Sequence, residues 1–115
     1  MTKIGEGNQP HPQKSQEIYQ MQLQQGVNRF QSALESYSIA TENDQKLYLK
    51  ETMTQQLALI KSSISEIHRS GIEKQGSKIE SDYRKYITAP TTENYTALEQ
   101  DLSTLKEYGS LPTIG

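Results

Sequence analysis

The chain has 115 residues, with 12 Lys+Arg against 14 Asp+Glu, no Cys and no Trp. That length bounds one small domain, and the missing Cys excludes a disulfide framework, a thiolate metal site and a Cys nucleophile. Ten Leu, ten Ile, Val27 and Phe30 are a thin aliphatic supply, but the formal net charge of -2 brings little self-repulsion, so a folded chain is expected.

The longest aliphatic run, Leu57 to Ile60, is far short of the ~20 residues that cross a bilayer, so no membrane span is expected. Met1 to Pro10 holds one early Lys with no apolar segment behind it. This predicts no cleaved secretory signal and a cytoplasmic protein, although a receptor-read export signal would leave no trace in composition. Balanced charge lacks the clustered basic footprint that nucleic acid requires, so no nucleic-acid partner is expected.

Residues 1–14, with Gly5, Gly7, Pro10 and Pro12, read as a flexible lead-in. From Ser15 the pattern changes. Leu23, Val27, Phe30, Leu34 and Tyr37 recur at steps of three and four, which predicts a first helix over about 15–40. Gln16, Gln20, Gln22, Gln24, Gln25 and Gln31 cover its other faces, while Gly26 marks either a weak point or a close approach of another backbone.

Thr41, or else Asn43, is the expected cap of a second helix. Its stripe is Leu49, Met53, Leu57, Ile60, Ile64 and Ile67, giving a span of about 43–69. Two long helices joined by so short a turn must form an antiparallel hairpin. After Ile67 the stripe jumps by five and resumes as Ile72, Gly76, Ile79, Tyr83 and Tyr86. Gly71, as a helix C-cap, favours a break there and a third helix over 72–88; the alternative is one continuous rod over 43–88.

Ala89-Pro90-Thr91-Thr92 punctuates the chain, with Thr92 as the expected cap of a fourth helix whose stripe is Tyr95, Leu98, Leu102 and Leu105. Gly109 is its expected C-cap, with 110–115 as a flexible tail. No strand alternation and no long-period repeat occurs. The expected fold is all-α: a long antiparallel hairpin plus two shorter helices, a three- to four-helix bundle with coiled-coil-like packing, in one domain over 15–109.

Motifs for chemistry are sparse. His68 with Ser63, Ser65 and Glu66 are helical neighbours rather than the separate segments a Ser-His-acid site draws together. Two His without ligand spacing make no metal site, and no phosphate-cradling Gly motif exists, so no metal and no cofactor are expected. Glu80 with Asp82 and Glu99 with Asp101 are two apart, on different helix faces, which leaves paired-carboxylate catalysis no visible seat. Asn94-Tyr95-Thr96 fits the glycosylation pattern but follows no signal peptide.

Tyr83, Tyr86, Tyr95 and Tyr108 are the stronger signal. They form either an interface of rings with hydroxyl tips or padding for a thin core. Lys78, Arg84 and Lys85 make the same stretch mildly basic, interleaved with acids. Ile18, Met21, Ile39, Leu47 and Leu59 lie off the stripes and stay outside unless another chain covers them. The expectation is therefore a non-enzymatic helical module that binds a protein partner as adaptor, inhibitor or chaperone, as a homodimer, with its face on 72–108. The alternative is a structural coiled-coil subunit of a larger assembly. In general character the chain resembles small acidic helical regulators and secretion chaperones of bacteria, a likeness that no motif carries.

Overall fold

Each of the four stripes must find an apolar surface, and with so few aliphatic residues the stripes can only bury one another. The computed structural model describes residues 12–67 and 69–110. It contains helices α1 (Pro12–Ile39), α2 (Asn43–Glu66), α3 (Ile72–Thr88) and α4 (Thr92–Ser110). The protein is all-α. Helix α1 packs on α2 and α4, and α3 packs on the same two, so the helices stand in chain order at the corners of a square. Leu23, Val27, Phe30, Leu34, Met53, Ile60, Ile72, Ile79, Leu98, Leu102 and Leu105 are buried at its centre, each worth about 1.5–3 kcal/mol of apolar burial.

Two glycines let the helices of this thin core close up. A Cβ on Gly26 would lie 3.0 Å from Ile60 Cγ1 and 3.7 Å from the Gln56 carbonyl oxygen. Close approach of α2 is thus the reason for Gly26 inside α1. On the other flank of α2, a Cβ on Gly76 would meet Ile64 Cδ1 at 2.7 Å. A side chain at this position of the α3 stripe would have to push that methyl aside.

The helix ends depart from the sequence expectations. Helix α1 begins at Pro12, inside the expected lead-in, because proline at the first helical position forgoes only an N–H that has no helical acceptor. Neither Thr41 nor Asn43 caps α2: the capping position is Glu42, with no side-chain cap bond. Helix α2 stops at Glu66, where Ile67 turns extended (φ -100, ψ 124) and is buried, 3% exposed. Burying Ile67 sets the break.

Gly71 therefore does not cap α2. It precedes α3 at φ 85, in the left-handed region, and a Cβ there would stand 2.9 Å from the Tyr108 hydroxyl. The α3–α4 turn is capped by Thr91 rather than Thr92, since the Asn94 N–H donates to Thr91 Oγ1 at 3.1 Å. Asn94 Nδ2 in turn donates to the Ala89 carbonyl at 2.8 Å, holding the end of α3. Helix α4 runs to Ser110, past Gly109, which therefore does not end it. His68 lies outside the described residues, as do 1–11 and 111–115.

Gly71→Ala should lose about 1–2 kcal/mol of stability, the cost of a side chain in the left-handed region. The check is the urea midpoint, and an unchanged midpoint would contradict the turn described here.

Candidate functional site

The tyrosine hydroxyls and rings lie where the stripes meet. Tyr83 and Tyr86 are 7% and 3% exposed, so their rings belong to the core and supply no open aromatic face. Helices α1 and α3 sit across a diagonal of the square, without the close backbone contact that each makes with α2 and α4. Rings span that diagonal. Phe30 meets Tyr83 edge-on at 5.4 Å between centroids, and Tyr37 meets Tyr86 at 5.9 Å. Tyr86 also meets Tyr95 of α4 at 5.9 Å. Edge-to-face pairs of this kind add about 0.5–1.5 kcal/mol beyond burial.

Two of the rings have their hydroxyls hydrogen-bonded. The Tyr83 hydroxyl donates to the Lys50 carbonyl at 3.2 Å and lies 3.1 Å from Thr54 Oγ1. Tyr95, half-buried, donates to Glu99 Oε2 at 3.3 Å. Burial pushes the Tyr83 and Tyr86 hydroxyls above the usual phenol range, so both are neutral near neutral pH. Tyr108, also half-buried, stands over Gly71. The four tyrosines thus tie helices together.

The basic residues are exposed but committed. Lys78 Nζ reaches Asp101 Oδ1 at 2.9 Å and Asp82 Oδ2 at 3.1 Å. Arg84 meets Glu80 at 2.9 Å, Lys61 of α2 meets the same carboxylate at 3.0 Å, and Lys85 lies 3.8 Å from Asp82. Lys78, Arg84 and Lys85 form a mixed-charge surface in which each cation has an anion of its own chain.

Beneath that surface is a carboxyl pair that sequence reasoning missed. Glu80 and Asp82 point apart, as do Glu99 and Asp101, but α3 laid against α4 brings Asp82 to Asp101. Asp82 and Asp101 are 9% and 5% exposed. Burial and the hydrogen bond with Asp82 push Asp101 up to about 6, against the pull of Lys78. The same carboxyl–carboxylate bond, aided by Lys78, holds Asp82 below the usual range. Hydrogen bonds to Asp101 and then Asp82 raise Lys78. The pair takes up one proton as pH falls through about 6, and Asp101 Oδ2, a buried oxygen with no hydrogen-bond partner, belongs to the carboxyl that takes it. The available signal was Asp101 beside the Leu98–Leu102–Leu105 stripe, a position too buried for an unpaired charge.

The serines near His68 in the sequence have hydrogen-bond acceptors within the bundle. Ser63 Oγ donates to Gln22 Oε1 at 3.3 Å and Ser65 Oγ to the Ser62 carbonyl at 2.8 Å. Asn94 of the glycosylation-like triplet is occupied in the turn. Among the described residues, no group of three acids or His could hold a metal ion, and no helix is long and apolar enough to cross a membrane. The outer surface of the α1–α2 pair carries exposed apolar side chains: Ile18, Met21, Ile39 and Leu47, plus Tyr48, which the stripe analysis passed over.

Two predictions follow from this geometry. Each of Tyr83→Ala and Tyr86→Ala should cost about 3–5 kcal/mol, so the double variant should lose most of its helical circular dichroism; retention would contradict the core placement. The folded chain also holds the Asp101 proton more tightly than the unfolded chain, so this group adds stability as pH falls from neutral through about 6. Glu80 and Asp82, lowered, withdraw theirs at still lower pH. Thermal melts should peak near pH ~5, and Asp101→Asn should remove the rise, on the order of 1–3 kcal/mol. A wild-type stability that is flat between pH 7.5 and 5 would contradict that proton uptake.

The chain matches no protein-family model, no curated protein and no solved structure.

Proposed function

We propose that the protein is a non-enzymatic helical module that binds a protein partner, as adaptor, inhibitor or chaperone, and works as a homodimer. The observation that carries this reading is the exposure of large apolar side chains on a chain whose stripes already close a core. Ile18, Met21, Ile39, Leu47 and Tyr48 are 52–79% exposed, and all belong to α1, α2 or their ends. Their positions are systematic. Helix α3 ends at Thr88 while its Tyr83 stands level with Lys50 and Thr54, so Leu47 lies at or past the end of α3, on an overhanging hairpin tip. Apolar surface left uncovered in this way favours docking.

The alternative, a rod-like structural subunit, drew its support from a continuous helix over 43–88. The extended Ile67 and the left-handed Gly71 favour the compact module instead. The mixed charges of α3 supply a solvated rim to a partner interface, where ion pairs add specificity more than affinity.

An affinity pull-down from the source organism's lysate at low and high salt, followed by reconstitution with the purified partner, tests the proposal. One partner that survives high salt, forms a stoichiometric complex and is lost with Leu47→Lys is the expected result. Recovery of the chain alone would overturn the reading.

A further inference from the structure

Where the α3–α4 turn meets the last turn of α1, a cavity of about 340 Å³ is lined by Ser38, Tyr86, Pro90, Thr91, Thr92 and Tyr95. Its size is at the lower end of the ~300–1,000 Å³ of small-ligand sites, which suits a short stretch of chain rather than a helix. Tyr86 is its unusual member. It is 3% exposed, yet its hydroxyl has no hydrogen-bond partner among the described residues, whereas those of Tyr83 and Tyr95 are bonded. Nor is that oxygen one of the sealed, unpaired side-chain atoms, which are Gln56 Oε1 and Asp101 Oδ2. The little of Tyr86 that is accessible therefore includes its hydroxyl, and the cavity is the opening that Tyr86 lines.

The rest of the lining also offers donors. The first N–H groups of a helix have no acceptor within it. Thr91 takes two of those of α4, the Asn94 N–H on its Oγ1 and the Tyr95 N–H on its carbonyl. Those of Thr92 and Glu93 are left unpaired among the described residues. The nearby oxygens are committed: the Ala89 carbonyl accepts from Asn94 Nδ2 and the Thr91 N–H, and Ser38 Oγ donates to the Glu35 carbonyl. Half-buried Tyr95 and exposed Pro90 add apolar surface. None of the six lining residues is charged. Acids stand around them: Glu93 in the first turn of α4, and Glu99 and Glu35, which after burial push the Tyr95 phenol up. Donors in acidic surroundings with no cation favour a neutral acceptor over a carboxylate or phosphate, despite the helix N-terminus. A sugar brings hydroxyl protons that the committed oxygens serve poorly. Proline brings carbonyls without an N–H, and its preformed extended helix packs its rings on aromatic side chains.

We infer that this cavity binds a proline-rich segment of a protein partner in the polyproline II conformation, with a prolyl ring against Tyr95 and Pro90 and a main-chain carbonyl accepting from the Tyr86 hydroxyl. A further carbonyl of the segment accepts from the Thr92 N–H. The cavity adjoins the hairpin tip, since Ser38 precedes Ile39, which is 79% exposed. The segment thus lies next to apolar side chains that take up the rest of the partner. The inference rests on the protein-binding reading and adds the chemistry of what is recognised.

Titration of the full-length chain with a capped polyproline peptide of about ten residues, followed by amide NMR, tests it. The expected dissociation constant is below about 1 mM, with shifts at Ser38, Thr92 and Tyr95. Tyr86→Phe keeps the ring and removes only the unbonded hydroxyl, so the melting temperature should hold while affinity falls about 2–10-fold. Thr92→Pro removes an N–H at a helical position that tolerates proline, and should weaken binding by a similar factor. Polyproline that fails to bind at about 10 mM, or binds Tyr86→Phe as tightly as wild type, would overturn the site. So would tighter binding of inorganic phosphate or of a glucose oligomer. A purified partner that is lost with Leu47→Lys but indifferent to Tyr86→Phe and Thr92→Pro would leave the protein-binding reading standing and overturn this site alone. A lysate that yields no partner would overturn the reading itself.

Discussion

The structure depends on how closely α2 can approach its two neighbours. A core built from one stripe per helix has no second layer to fall back on, so each interhelical gap must be closed by backbone proximity or by a large side chain. Gly26 and Gly76 provide the proximity on the two flanks of α2, where added side chains would strike Ile60 and Ile64. Phe30, Tyr83, Tyr37 and Tyr86 provide the bulk across the diagonal. Four short contacts thus compensate for a composition poor in aliphatic residues, and the tyrosines that resemble an interface in sequence are consumed inside the chain.

Consuming the tyrosines changes where binding can take place. With Tyr83 and Tyr86 buried and Tyr95 and Tyr108 half-buried, the outer surface of α3 is a skin of paired charges over the Asp82–Asp101 carboxyl pair. Apolar side chains remain uncovered on the other layer, along α1 and α2 and at the hairpin tip. The two layers thus differ: α3 carries the paired charges, while α1 and α2 carry the exposed apolar side chains.

Most of the fold was legible because helical periodicity is local. Every stripe residue from Leu23 to Leu34, from Met53 to Ile67, from Ile72 to Tyr86 and from Leu98 to Leu105 is buried. The ends were not legible, since tertiary contacts fix them. Ile67 leaves the helix to reach the core, and Gly71 is left-handed beneath Tyr108 rather than as the cap of α2. Thr91 and Thr92 are equally good capping residues, and only the turn geometry chooses between them. Illegible for a stronger reason was the Asp82–Asp101 pair, which exists only once α3 and α4 take their register. Periodicity likewise passes over Tyr48, because a side chain off every stripe carries no pattern.

The central claim is that the core closes within one chain. Methyl NMR of the full-length chain over a dilution series tests it most directly, because it reads each residue separately. The account predicts that Ile72 and Ile79 stay unmoved on dilution. Concentration-dependent shifts at Ile72 and Ile79 would contradict it.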